Sequence, residues 1–305
     1  MSRKLAWLVA IFAILAAAYF WFAVESHVPS GHYALDIAEL RQLANSIPGP
    51  KPHEIRVERV ATFPFPGAAI MAGGSWKSES GPAASYQIVY PDRAVIVDTA
   101  MDEAVTKAMG QAMSRPQFHP DAYARMIRAL PQASLILVTH EHPDHIGGLA
   151  TFPELPRIVP AVRLTREQAA HPEQAAPAKM PQGVFQILNY DRAAAVAPGI
   201  AVIKSPGHTP GSQMVFIQRD DGEEFLLLGD VAWGMRNVDN VRERPRFISD
   251  FMLHEDREAV LLELAELHRL AEAEPKIHMI PGHDAGPLIR LQARGLLVDG
   301  FEIRP

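Results

Sequence analysis

Cysteine does not occur among the 305 residues. Its absence excludes disulfides, a thiol nucleophile, thiolate metal ligands and iron–sulfur clusters, and it leaves the redox compartment open. A Gly-X-Ser-X-Gly turn is also missing, so a serine on a strained strand-to-helix elbow is not the nucleophile. Positive charge is not in excess. The formal net charge is −6, which argues against a nucleic-acid partner, because such partners require a clustered basic surface. There is no internal repeat and no long low-complexity run. Hydrophobic residues at 48% are enough for a substantial core, and charged residues at 21% are ordinary for a globular chain.

What is present starts with a long apolar run. Leu5 to Val24 carries no charged residue, and a helix of that length spans about 30 Å, the thickness of a bilayer core. Arg3 and Lys4 predict a cytoplasmic N-terminus, which places everything after Val24 outside the cytoplasm, on the periplasmic side in a bacterium. Tyr19 to Phe22 would form an aromatic belt at the far interface. The alternative is a signal peptide cut near Ala16-Ala17-Ala18, which would release a secreted protein with four aromatics close to its new N-terminus. The expected organisation is therefore a signal anchor over residues 1–24, a spacer over 25–54 and one domain over 55–305. The spacer holds a short helix, Ala34 to Asn45, broken by the Pro- and Gly-rich Ser46 to Pro52.

In the domain, strands and helices alternate, which is the α/β pattern. Buried-strand runs occur at 94–97, 134–138, 225–228 and 277–280. Each ends at, or just before, a residue able to ligate a metal or support a ligand: Asp98, His140, Asp230 and His283. Rigid strands aim the residues at their C-terminal ends, so chemistry gathers there. Helices are predicted at 102–113, 121–130 and 256–273. Residues 62–84, 171–183 and 234–252 read as loops that set selectivity, 171–183 being either a rim over the site or an inert surface loop. Arg236, Arg242, Arg244 and Arg246 stand either as receptors for an anionic substrate or as solvated side chains.

The densest chemistry lies at Thr139-His-Glu-His-Pro-Asp-His145, with candidate ligands at His140, His142, Asp144 and His145. Alternation puts His140 and His142 on one side of an extended segment, and the turn at Pro143 aims Asp144 and His145 at a second point. Chance matches to His-X-His-X-Asp-His at this composition number on the order of 0.001 per chain. His208, in the turn Ser205 to Ser212, Asp230 at a strand end, and His283 after Pro281-Gly282 repeat the same theme. Of the remaining histidines, His278 comes nearest to the site in sequence, but it lies inside a strand.

The order His-X-His-X-Asp-His, then His, Asp and His, resembles the metallo-β-lactamase-fold hydrolases over roughly residues 55–290. The resemblance implies a four-layer αβ/βα sandwich with its site at one edge of two sheets. It assigns His140, His142 and His208 to one metal, Asp144, His145 and His283 to a second, and Asp230 to a bridge between them. Asp98 resembles the supporting aspartate behind the ligands, and Gly147 and Gly148 match the Gly pair that follows the motif. Imidazole and carboxylate donors suit two divalent ions, zinc above all, with iron or manganese allowed. Asp144 and Asp230 are the expected catalytic carboxylates.

The implied reaction is hydrolysis of an ester, lactone or thioester of a small-molecule substrate by a hydroxide held between the metals. Asp230 at the bridge resembles lactonases, glyoxalase-II-type thioesterases and phosphodiesterases; true β-lactamases usually carry Cys or Ser there. One departure stands out. Related lactonases commonly carry a Tyr shortly after the bridging Asp, whereas this chain has Trp233, whose N–H donates a hydrogen bond but is no acid at neutral pH. The alternatives are a single-iron oxidoreductase resembling persulfide dioxygenases, a phosphodiesterase, a β-lactamase, and a non-catalytic protein that keeps the fold.

Overall fold

The structure is a computed structural model that describes residues 2–113 and 115–304. Met1 and Pro305, the outermost residues of the expected first and last segments, lie outside the described residues. Helix α1, Arg3–Tyr19, runs into a π-helical turn, Phe20–Val24. Helix α2, Ile37–Ala44, starts where Asp36 Oδ1 accepts the Ala38 and Glu39 N–H groups, a normal N-cap. Strands β1 (Glu54–Pro66), β2 (Ser78–Val89) and β3 (Ala94–Val97) follow, then α3 (Glu103–Met113), α4 (Pro120–Ala129), β4 (Leu135–Leu137) and α5 (Pro143–Ala150). The second half holds β5 (Ala193–Ala197), β6 (Ile200–Lys204), β7 (Gln213–Gln218), β8 (Glu224–Gly229), α6 (Met235–Asn240), α7 (Arg257–Ala273), β9 (His278–Pro281), α8 (Ala285–Ala293) and β10 (Val298–Asp299).

Among the described residues two large sheets result, ordered β10-β1-β2-β3-β4 and β9-β8-β7-β6-β5, with the short strand Gln117–Phe118 added on β1, and Arg163–Thr165 pairs with Gln186–Leu188 in a small third sheet. Side chains alternate along each strand, and each sheet buries apolar side chains on both of its faces. Val95, Val97, Val202, Val215 and Leu227 meet between the sheets. Ile96 and Ile136 turn outward onto Met126 of α4 and Ile146 and Leu149 of α5. On the far side, Ile203, Phe216 and Leu226 meet Leu40 of α2 and Val260, Leu264 and Leu267 of α7. Three apolar cores between four layers make the α/β sandwich. α2, which precedes β1 in the chain, is thus an element of the outer layer.

The predicted helices and strands of the domain fall within a residue or two of the observed ones, and the short helix expected from Ala34 begins three residues later, at Ile37, but residues 62–84 are not a loop. They are largely the outer half of a long β1–β2 hairpin, in which Thr62 faces Pro82 and Pro66 faces Ser78. β2 holds Gly81 and Pro82, and it pairs with β3 only over Tyr86 to Val89. Beyond that point one side of β2 has no strand neighbour among the described residues, and proline is tolerated.

The directions of the strands matter most. β3 and β4 run parallel, as do β8 and β9, and β6 and β8 both run antiparallel to β7. Within each sheet, the C-terminal ends that carry candidate ligands therefore lie along one edge.

Candidate metal centre

Asp98, directly after β3, adopts φ 61°, a left-handed conformation that is uncommon outside glycine. Its carboxylate ties two strand ends together, with Oδ1 accepting the Thr139 N–H at 2.6 Å and Oδ2 accepting the Thr139 hydroxyl at 2.9 Å. Oδ2 also pairs with His145 Nδ1 at 2.9 Å, fixing which ring nitrogen of His145 faces the site. Pro143 opens α5 at its first position, where its missing N–H is harmless. This places Asp144 and His145 in the first turn. α5 lies so close to the loop after β3 that a Cβ on Gly148 would sit 2.1 Å from the Thr99 carbonyl oxygen, so glycine is required there.

His208 rides on the turn between β6 and β7. Buried Glu141 anchors that turn, accepting from the Thr209 hydroxyl at 2.8 Å and the Gly211 N–H at 3.1 Å; burial pushes its carboxyl pKa up. Asp230 follows β8, and the chain after β9 passes tightly against it: a Cβ on Gly282 would lie 2.0 Å from Asp230 Oδ1.

All seven expected ligand positions come together, with Asp230 at the hub. Its Oδ2 lies 3.1 Å from His283 Nε2, 3.6 Å from His208 Nε2 and 3.9 Å from His140 Nε2, and its Oδ1 lies 3.2 Å from His145 Nε2. On one side His142 Nδ1 and His208 Nε2 are 2.9 Å apart. On the other, Asp144 Oδ2 lies 3.3 Å from His283 Nε2 and 3.9 Å from His145 Nε2. Three groups have donor atoms within 4.8 Å of one another: His140, His142 and His208; His140, His145 and Asp230; and Asp144, His145 and His283.

The donors fit divalent metals. His140 Nε2, His145 Nε2 and Asp230 Oδ1 are buried with no hydrogen-bond partner among the described residues, a costly arrangement unless something else engages them. The electrostatics agree. Burial, with help from His145, holds His140 well below the usual histidine range, and burial with His208 pushes His142 down to about 3. Burial also disfavours the charged forms of His145 and His283. The carboxylates of Asp230 and Asp144 outweigh it at both, joined by Asp98 at His145, and raise the two pKa values. For Asp230, burial is outweighed by His283, His145 and His140, which hold its carboxyl well below the usual range. Protons on His145 and His283 thus stand where cationic charge is wanted, and metal binding would release them.

Several functional contacts were not read from the sequence. His208 Nδ1 pairs with Glu255 Oε1 at 2.5 Å, and Arg244 Nε donates to Glu255 Oε2 at 3.0 Å. The Arg244 guanidinium lies 5.2 Å from the Trp233 ring centroid, and Trp233 Nε1 donates to Asp230 Oδ2 at 2.7 Å. The arginines of 234–252 are therefore neither receptors for an anion nor solvated side chains. Arg244 is fully buried, Arg236 pairs with Glu79, Arg242 donates to the Val24 carbonyl and Arg246 pairs with Glu25. The segment itself contains α6 and a π-helical turn, Ser249–Leu253. His278 pairs with Glu223 at 2.7 Å, at the start of β9, outside the metal cluster.

A cavity of about 370 Å³ opens onto the cluster. His142, Asp144, Asp230 and His283 form its polar floor, and Phe63, Phe65, Met109, Trp233, Met252 and Leu253 its apolar walls. Glu173, Gln174 and Ala176 also line it, so part of 171–183 is a rim of the site.

A His and Asp cluster without thiolate, at the strand ends of two stacked sheets, defines a metal-dependent hydrolase. The profile of the metallo-beta-lactamase superfamily matches residues 80–283, more than half of the chain, and the protein belongs to that superfamily. An N-acyl homoserine lactonase from a Bacillus species is 27% identical over 175 residues, covering 52% of this chain and 67% of the relative. A hydroxyacylglutathione hydrolase from Albidiferax ferrireducens is 31% identical over 114 residues, covering 35% of this chain and 39% of that protein. Among solved structures, a Bacillus thuringiensis AiiA variant with N-decanoyl-L-homoserine at its active site superposes with a TM-score of 0.60 at 17% identity, covering 81% of this chain and 98% of that one.

Proposed function

We propose that the protein is a dinuclear metal hydrolase that opens the ring of acylated lactones. The observation that carries this reading is Asp230, placed between a three-histidine group on one side and Asp144, His145 and His283 on the other. His140, His142 and His208 would hold one ion, Asp144, His145 and His283 the second, and Asp230 both. Zinc is the ion that this donor set favours, with iron or manganese allowed. When bound, the pair supplies an activated water and an electrophilic pole for the carbonyl oxygen.

The chain's own residues do the rest. Asp98 and Glu255 orient His145 and His208 through their outer ring nitrogens. Trp233 fixes one oxygen of Asp230. Phe63, Phe65, Met109, Met252 and Leu253 form an apolar wall beside that polar floor, which suits a ligand with a polar reacting head and an acyl tail. The Bacillus lactonase relative and the N-decanoyl-L-homoserine complex support the same choice. Thioester hydrolysis is the second reading, favoured by the hydroxyacylglutathione hydrolase relative.

We further propose that α1 and the turn after it anchor the protein in a bilayer. Arg3–Val24 has mean hydropathy 2.3 over its best window, and 6% of that window is buried. The catalytic domain would then stand outside the cytoplasm, as Arg3 and Lys4 orient it.

The test loads the full-length protein with zinc and measures turnover of acyl lactones, acyl thioesters, phosphodiesters and a chromogenic β-lactam. Lactones are expected to give the highest kcat/KM. Preference for thioesters supports the second reading, and turnover of none of the four contradicts the hydrolase assignment. Oxygen uptake with a persulfide by iron-loaded protein supports the oxidoreductase instead.

A further inference from the structure

The apolar helix does not hang on a flexible tether. Over residues 19–26 nearly every position is fastened to the catalytic domain. Tyr19 Oη accepts from Trp76 Nε1 at 3.2 Å. The Arg246 guanidinium lies 4.2 Å from the Trp21 ring centroid, and its Nη2 donates to Glu25 at 2.7 Å. The rings of Phe22 and Phe251 are 5.8 Å apart. The Ala23 carbonyl accepts the Gly73 N–H at 2.8 Å, the Val24 carbonyl accepts Arg242 Nη2 at 2.9 Å, and the Ser26 hydroxyl donates to Glu243. Wherever the foot of the helix sits, these parts of the domain sit beside it.

The surface so fixed is apolar. Trp76 is 61% exposed, Phe251 64% and Met252 42%, continuous with half-exposed Trp21 and Phe22 at the foot of the helix. It is also the mouth of the site, because Met252 and its neighbour Leu253 line the cavity over the metal cluster.

From this geometry we infer that Trp76, Phe251 and Met252 form a collar seated in the interfacial layer of a phospholipid leaflet. The active site opens directly against the bilayer, and its substrate is an amphiphile whose long acyl chain already resides in that leaflet. The inference rests on the hydrolase and anchor readings above. Aromatic side chains are favoured at the headgroup level, and the collar lies beside the aromatic end of α1, where a spanning helix meets that level. The Arg246–Glu25 pair and the partly buried Ser26–Glu243 contact hold the orientation, so the collar cannot swing away while the helix is inserted.

The absence of cysteine makes the test clean. Phe251→Cys and Asp221→Cys are introduced separately in the full-length chain; Asp221 lies in the β7–β8 turn, at the opposite end of β8 from Asp230. Each is labelled with a polarity-sensitive fluorophore and reconstituted in phosphatidylcholine vesicles with and without brominated lipid. The label at 251 should shift to the blue and be quenched by bromine, and the label at 221 should do neither. A water-like, unquenched signal at 251 overturns the collar, whatever the enzyme hydrolyses.

Delivery is tested with Trp76→Ser/Phe251→Ser. An N-decanoyl lactone carried in vesicles should be hydrolysed about tenfold more slowly, and a water-soluble N-butanoyl lactone at the wild-type rate. Equal effects on both overturn delivery from the leaflet. If the wild type hydrolyses neither lactone, the lactone reading fails, and the fluorescence result alone decides the surface.

Discussion

The two sides of the metal cluster are supported by different means. On the first-sheet side, Asp98 stands at a strand end and reaches His145 and Thr139 directly. Asp98 and Thr139 stand at the ends of adjacent parallel strands, His145 follows in the first turn of α5, and all three are visible as local patterns in the chain. On the second-sheet side, His208 is oriented by Glu255, which is oriented by Arg244, both from an irregular segment far along the chain. Glu263 backs the same turn, accepting the Gly207 N–H at 3.1 Å. One side is rigid because of the sheet, and the other because buried charges are matched. A sheet-borne support should fail locally when altered, whereas a charge-borne one should take the fold with it.

The largest break in that comparison is Arg244→Met. Burial opposes ionisation of Glu255, but Arg244 and His208 together outweigh it. Removing the guanidinium leaves a buried carboxylate short of its main partner, for an expected loss of about 3–5 kcal/mol in urea unfolding. Adding Glu255→Gln should recover much of it; an unchanged midpoint in the single variant contradicts the charge-matching account.

Glu263→Gln comes next. Burial pushes the Glu263 carboxyl up to about 8 from 4.5, so the folded state binds this proton more tightly than the unfolded state. The stabilisation is complete below the unfolded value and is lost as pH rises toward 8, at up to about 1.4 kcal/mol per pH unit. Thermal unfolding should show wild type losing stability relative to Glu263→Gln across that window. Parallel curves contradict the prediction.

Asp98→Asn should have the smallest effect on the fold, because an amide still offers an acceptor to Thr139. Its effect should fall on the metals, with affinity lowered about 10–100-fold in chelator competition. If Asp98→Asn instead unfolds the protein as Arg244→Met does, the two sides do not differ as described.

The same contrast explains what was legible in the sequence. The seven clustered positions and Asp98 were readable because each sits at a strand end, in a tight turn, or within the run from His140 to His145. Glu255 and Arg244 were not. Their roles depend on contacts made across the fold, His208 and Glu255 being 47 positions apart, and a run of four arginines in a mixed segment looks solvated. The outer half of the β1–β2 hairpin was read as a loop; it is a strand pair whose Pro82 is tolerated because β2 pairs with β3 only over Tyr86 to Val89, a long-range fact that no local pattern shows. The docking of residues 19–26 was invisible because apolar periodicity describes α1 itself and not what its end touches.

The central claim is that Asp230 holds two metals at once, and metal content tests it most directly. Full-length protein and Asp230→Asn are saturated with zinc, freed of excess, and assayed for metal per chain alongside lactone turnover. The wild type should retain two ions per chain, and Asp230→Asn at most one, with turnover abolished. Two ions kept by Asp230→Asn with turnover unchanged would contradict the account.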